Sequence, residues 1–137
     1  MAAFTKLQKF VEAVAHGKHN LSTAQIKVAL TNVLPVAASA GVLADITEIA
    51  YTYCSNRNVA TSASAQTGGI YKLTCADLTI TATGGPVGPF RYVSIYNDSA
   101  TAKDLIGFYD RGDSITLLDG EKIDLDLDQA GGVLTLG

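Results

Sequence analysis

The sequence predicts a mainly-β fold, an antiparallel sandwich or barrel, with one short amphipathic helix or arm at its N-terminus. Three observations predict it. From Ile26 onward, short alternating apolar and polar runs recur roughly every 8–12 residues, with Gly, Pro, Asn or Asp between them. Asp119-Gly120 stands between two such runs and is the strongest hairpin signal in the chain. A helical period appears credibly only near the N-terminus, so a parallel sheet wound with crossover helices is not expected.

The elements follow in order. Leu7, Phe10, Val11 and Val14 fall on one helical stripe among Lys6, Gln8, Lys9 and Glu12, and Gly17 closes it. An extended arm is the competing reading of this segment. Ile26, Val28 and Leu30 then alternate with Lys27, Ala29 and Thr31 as a strand ended by Pro35. Residues 36–50 read as an Ala-rich loop with one helical turn around Asp45 to Ile49. Asn56 to Gln66 is a polar run, either a solvent-edge strand or a long loop, and Gly68-Gly69 turns the chain. Further strands are expected at 70–74, 78–83, 90–96, 105–109, 114–118, 121–127 and 133–136. Asp110 to Asp113 is read as a turn.

With 137 residues the chain fits one domain, long enough to bury a core without a metal or disulfide staple. The expected division is 1–24 as helix or arm and 25–137 as the β-body. Charged residues are 17% and hydrophobic residues 47%, which opposes disorder and leaves a surface of Ala, Ser, Thr and Gly suited to packing against protein. A net charge of −3 gives no general attraction to nucleic acid or anionic lipid. No run approaches the roughly 18 apolar residues of a membrane span. The first residues lack the apolar core of a secretory signal, so synthesis in a cytoplasm is expected. The charge is uneven: Lys6, Lys9, Lys18 and Lys27 face Glu12 alone in the first thirty positions, while acids dominate from Asp104 onward. These halves can attract within one molecule or between copies.

No constellation compels chemistry. Glu12, His16 and His19 have helical metal-ligand spacing, but Gly17 interrupts them and no further ligand stands nearby. Asp124, Asp126 and Asp128 alternate with apolar residues, which suits the wet face of a strand better than a calcium loop. Arg111-Gly112-Asp113 spells an adhesion tripeptide in ordinary turn composition. The Gly84 to Phe90 stretch matches no phosphate-binding pattern, and no G-x-S-x-G elbow is present. Cys54 and Cys75 lack CxxC spacing and read as reduced, semi-buried thiols, with a disulfide between them as the alternative should the fold bring them together. Phe90, Tyr92, Tyr96, Phe108 and Tyr109 read as a cross-strand core cluster, with a sugar- or base-stacking platform as the alternative. No catalytic, cofactor-binding or metal-ligating residue is assigned, and no enzyme is expected.

Most of the chain resembles a family of small virion proteins of tailed bacteriophages. The resemblance is carried by Gln66-Thr67-Gly68-Gly69-Ile70-Tyr71-Lys72-Leu73, Gly88-Pro89-Phe90-Arg91-Tyr92, Leu105-Ile106-Gly107-Phe108-Tyr109-Asp110 and the terminal Gly132-Val133-Leu134-Thr135-Leu136. In the front half it runs through Lys27-Val28-Ala29-Leu30-Thr31-Asn32 and Leu43-Ala44-Asp45-Ile46-Thr47-Glu48-Ile49-Ala50, and it departs at Tyr51-Thr52-Tyr53-Cys54-Ser55-Asn56. It implies a single jelly-roll-like β-sandwich that decorates or cements a capsid. The expected partners are the major capsid protein and copies of itself, as dimer or trimer, on the virion surface. Phe4, Lys6, Leu7, Lys9 and Phe10 are the candidate anchor, since aliphatic and aromatic groups supply burial and lysines suit an acidic shell. Gly85, Pro86 and Arg111, on two loops, are the second candidates. A tail, connector or spike component, and a glycan-binding sandwich using Tyr92, Tyr96 and Tyr109, are the rival readings.

Overall fold

A computed structural model of the protein describes residues 4–127 and 132–136. In chain order they form β1 (Phe4–Lys6), α1 (Gln8–Ala15), β2 (Ile26–Thr31), β3 (Asn58–Val59), β4 (Thr61–Thr67), β5 (Ile70–Cys75), β6 (Leu78–Thr81), β7 (Val87–Asn97), β8 (Leu105–Leu117), β9 (Lys122–Leu125) and β10 (Leu134–Leu136). The described residues are mainly β, and their strands pair antiparallel. Five strands form a sheet in the order β1-β8-β7-β2-β3, three form another in the order β10-β5-β4, and β6 pairs with β9. One hydrophobic cluster draws on all three, with Leu30, Ile95 and Ile106 from the large sheet, Leu73 from β5, and Ile80 and Leu125 from the smallest.

The N-terminal segment is both things its sequence allowed. Phe4–Lys6 adds β1 to the edge of β8, in register from Phe4 opposite Tyr109 to Lys6 opposite Gly107. The chain then turns into α1, which inserts Phe10 into the core. Its stripe is narrower than the periodicity suggests: Leu7 and Phe10 are fully buried, Val14 is half-buried, and Val11 is exposed. Alternation also understates β2. Val28, Ala29 and Leu30 are all fully buried, because both faces of this central strand are covered.

Three turn expectations need correction. The helical turn lies at Leu43–Asp45, where the Asp45 carboxylate accepts bonds from the N–H groups of Gly41 and Val42 at 2.8 and 3.0 Å. Asp110 to Asp113 does not separate two strands. β8 runs through it from Leu105 to Leu117, while its partner β7 moves only from Tyr92 to Phe90 as β8 moves from Asp110 to Ile115. The polar tetrapeptide is therefore a bulge within one strand, with Gly112 at φ +96°. Asp119-Gly120 does make a tight turn, Gly120 having φ +86°, but not a hairpin. The strand before it pairs with β7 and the strand after it, β9, pairs with β6. The Asp119 carboxylate is used across this junction, accepting from Gly84 N–H at 2.8 Å.

Candidate partner-binding surface

Register brings four connecting segments to one end of the large sheet. Thr31, the last residue of β2, lies opposite Tyr92, which lies opposite Asp110, and further along Val87 lies opposite Leu117. The loop leaving β2, the loop entering β7, the β8 bulge and the turn after β8 therefore share this end. Side chains tie them together. Ser114 Oγ bonds Asn32 Oδ1, linking the bulge to the β2 loop. Arg91 grips Asp110 with two bonds of 2.8 and 3.1 Å, and Asp110 also accepts from Gly112 N–H at 2.8 Å. Both bonds hold the Asp110 carboxyl below its ordinary pKa, Arg91 contributing most.

This end carries apolar surface that its loops do not cover. Val33 and Leu34 are 58% and 56% exposed on the β2 loop, and Leu118 is 61% exposed before the Asp119-Gly120 turn. With Tyr53, whose ring lies over Gly85, they make four of the seven large hydrophobics exposed among the described residues. Exposed aliphatics scattered singly are ordinary; those gathered at this end of a low-charge chain make a candidate contact surface.

The residues singled out from sequence divide between this end and the N-terminal segment. Gly85, Pro86 and Arg111 lie at the loop end. Pro86 is exposed, and Arg111 donates to the Asp113 carbonyl at 3.0 Å within the bulge. Leu7 and Phe10 are buried in this chain's own core and present nothing to a partner. Phe4 is half-buried, its ring 5.1 Å from Tyr109, while Lys6 and Lys9 are exposed. Lys6, Lys9, Lys18 and Lys27 join no ion pair among the described residues; the pairs present include Lys103–Asp98 and Arg57–Glu48. Sequence reading passed over Val33, Leu34 and Val36, although an apolar run just past a strand end and beside a proline was a legible signal.

The other constellations resolve as structure. Glu12 and His16 line a recess of about 250 Å³ with Lys9, Lys18, Asp45 and Asp104, a mixed-charge surface. His19 turns away from them, its Nδ1 accepting from Asn97 Nδ2 at 3.1 Å and its ring 4.9 Å from Phe10. Burial pushes its pKa down, opposed by the nearby Asp104. No group of three His, Cys, Asp or Glu is placed to hold a metal ion among the described residues. Asp124 accepts from Thr79 Oγ1 at 2.6 Å across the β6–β9 pair, and Asp128 lies outside the described residues. Cys54 and Cys75 are unbridged thiols. Phe90, Tyr92, Tyr96, Phe108 and Tyr109 are all buried, Tyr92 and Phe108 meeting edge to face at 6.2 Å.

No family model, curated protein or solved structure matches this chain.

Proposed function

We propose that this chain is a virion structural protein of a tailed phage, which binds the outside of the capsid shell and clamps neighbouring major capsid protein subunits. In this reading its antiparallel sheets and single core form a jelly-roll-like sandwich. The observation that carries the proposal is the apolar end built from Val33, Leu34, Tyr53 and Leu118, on a chain with only 17% charged residues. Loops pinned by Ser114–Asn32, Arg91–Asp110 and Asp119–Gly84 keep that surface shaped before contact, which lowers the ordering cost of binding. A shell offers many equivalent seams. Weak apolar contacts repeated across them add by avidity, since a tethered second contact costs little further entropy. The resemblance to small phage virion proteins supports the same reading. The glycan-binding alternative loses its platform, because Tyr92, Tyr96 and Tyr109 are buried.

A mass-spectrometric census of purified particles tests it. A cement protein is expected at a fixed ratio to the major capsid protein. A few copies per particle would move the chain to the tail, connector or spike, and absence from the particle would refute a virion role. A Val33→Asp/Leu34→Asp variant is expected to keep its melting temperature within about 2 °C, because both sites are exposed, and to leave the particle fraction.

A further inference from the structure

The two larger sheets treat their edges differently. Beyond β3, the open side of β2 is closed. Val28 N–H donates to Arg57 O at 3.0 Å, Arg57 donates back to Val28 O at 2.7 Å, Leu30 N–H donates to Tyr51 Oη at 2.9 Å, and Ile49 N–H donates to Leu30 O at 2.9 Å. Among the described residues β4 has no such cover. It is the last strand of its sheet, and its backbone pairing among the described residues runs to β5 alone. Its side chains turn the same way, Ser62 Oγ bonding Thr74 O and Ser64 Oγ bonding Tyr71 Oη.

An unpaired edge of this length is ordinarily guarded by charge, proline or a covering loop. Thr61–Thr67 contains no charge and no proline, and its bulge lies only at the base, between Thr61 and Ala63. Its sequence is also nearly symmetric. Read outward from Ser64, Thr61-Ser62-Ala63-Ser64-Ala65-Gln66-Thr67 places Ala against Ala, Ser against Gln and Thr against Thr. Paired antiparallel with a second copy about a two-fold axis at Ser64, the strand would therefore set only small or uncharged side chains opposite one another, with no charge to repel.

The hairpin supplies the backbone groups. Gly68 and Gly69 have φ of +61° and +84°, the two positive values of a type I′ turn closing on Thr67 and Ile70. Alternation along β4 then directs the N–H and C=O of Gln66 and Ser64 away from β5. With the axis at Ser64, the two central serines exchange both bonds. Small side chains on both faces let the sheet continue across the axis without steric conflict.

We infer that this chain dimerises through β4, pairing it antiparallel with β4 of a second copy about an axis at Ser64. The result is one continuous sheet, β10-β5-β4 followed by β4-β5-β10 of the other copy. Main-chain bonds supply the affinity, as in other strand additions. The pairing is independent of what the apolar loop end meets.

Sedimentation equilibrium of the full chain tests it. The wild type is expected to dimerise. Ser64→Lys and Ser64→Glu each place like charges opposite one another and are expected to weaken the dimer at least about tenfold, while a one-to-one mixture of the two restores it as a heterodimer. A wild type monomeric at every concentration, a dimer indifferent to both substitutions, or a mixture that fails to recover would overturn the proposal. Hydrogen exchange on the wild type gives a second reading that needs no variant. The Ser64 amide should slow as concentration rises; an unchanged rate, or protection arising only on adding another protein, would equally overturn it.

Discussion

Phe10 shows most clearly how one residue's role turns on its surroundings. As a sequence position it is an aromatic on a basic, amphipathic segment, which suits an anchor. In the fold it is fully buried among the core residues and against the His19 ring. Phe10→Ala is therefore expected to cost about 3–5 kcal/mol in chemical denaturation, the range for emptying a buried aromatic site. His19 gives a pH signature. Burial lowers its folded pKa below the ordinary 6.5, so the unfolded chain binds the proton more readily. The stability held by neutral His19 is present above 6.5 and declines as the pH falls from there toward the folded value. The urea midpoint should drop on acidification through this window, and the drop should shrink in His19→Gln. Burial also pushes the Cys75 thiol up to about 11, against a Thr61 hydrogen bond that lowers it. At neutral pH it stays protonated and enclosed, so a thiol reagent should label native protein at the half-buried Cys54 first.

At the scale of elements, β1 and β8 are where small residues matter. Gly107 lies under the N-terminal strand, and a Cβ there would collide with the Phe4 ring and the Thr5 carbonyl. Gly107→Ala should expel β1 from the sheet edge, at a cost of about 1–3 kcal/mol, read by urea unfolding and by faster amide exchange in Phe4–Lys6. Gly112 is different: a Cβ meets nothing there, but its φ of +96° is unfavourable for any L side chain. Gly112→Ala should destabilise by about 1–2 kcal/mol through backbone strain alone. The bulge that needs this glycine also holds the Arg91–Asp110 and Ser114–Asn32 links, so the same change should loosen the apolar loop end.

For the whole molecule, one core shared by all three sheets and the N-terminal helix predicts a single cooperative unfolding transition. Calorimetric and van't Hoff enthalpies should agree; two resolved transitions would show that the sheets do not fold as one unit. Long-range pairings such as β1 with β8 and β6 with β9 require distant segments to meet, so folding in roughly milliseconds to seconds is expected.

The sequence by itself determined the class and most element positions. Alternation, Gly-Gly and Asp-Gly turns and one helical stripe are local signals, and they located α1, β2, β5 and the cores of β6 to β10 within a few residues. Partner choice was not legible. Asp119-Gly120 has hairpin chemistry, yet the strands it joins pair with β7 and β6, because pairing is settled by which apolar faces can be buried together. The same rule decided the surface: Leu7 and Phe10 went inward while Val33, Leu34 and Val36 stayed out. Sequence carries each side chain's hydrophobicity, but only the packed chain decides which apolar groups find cover within it and which are left for a neighbour.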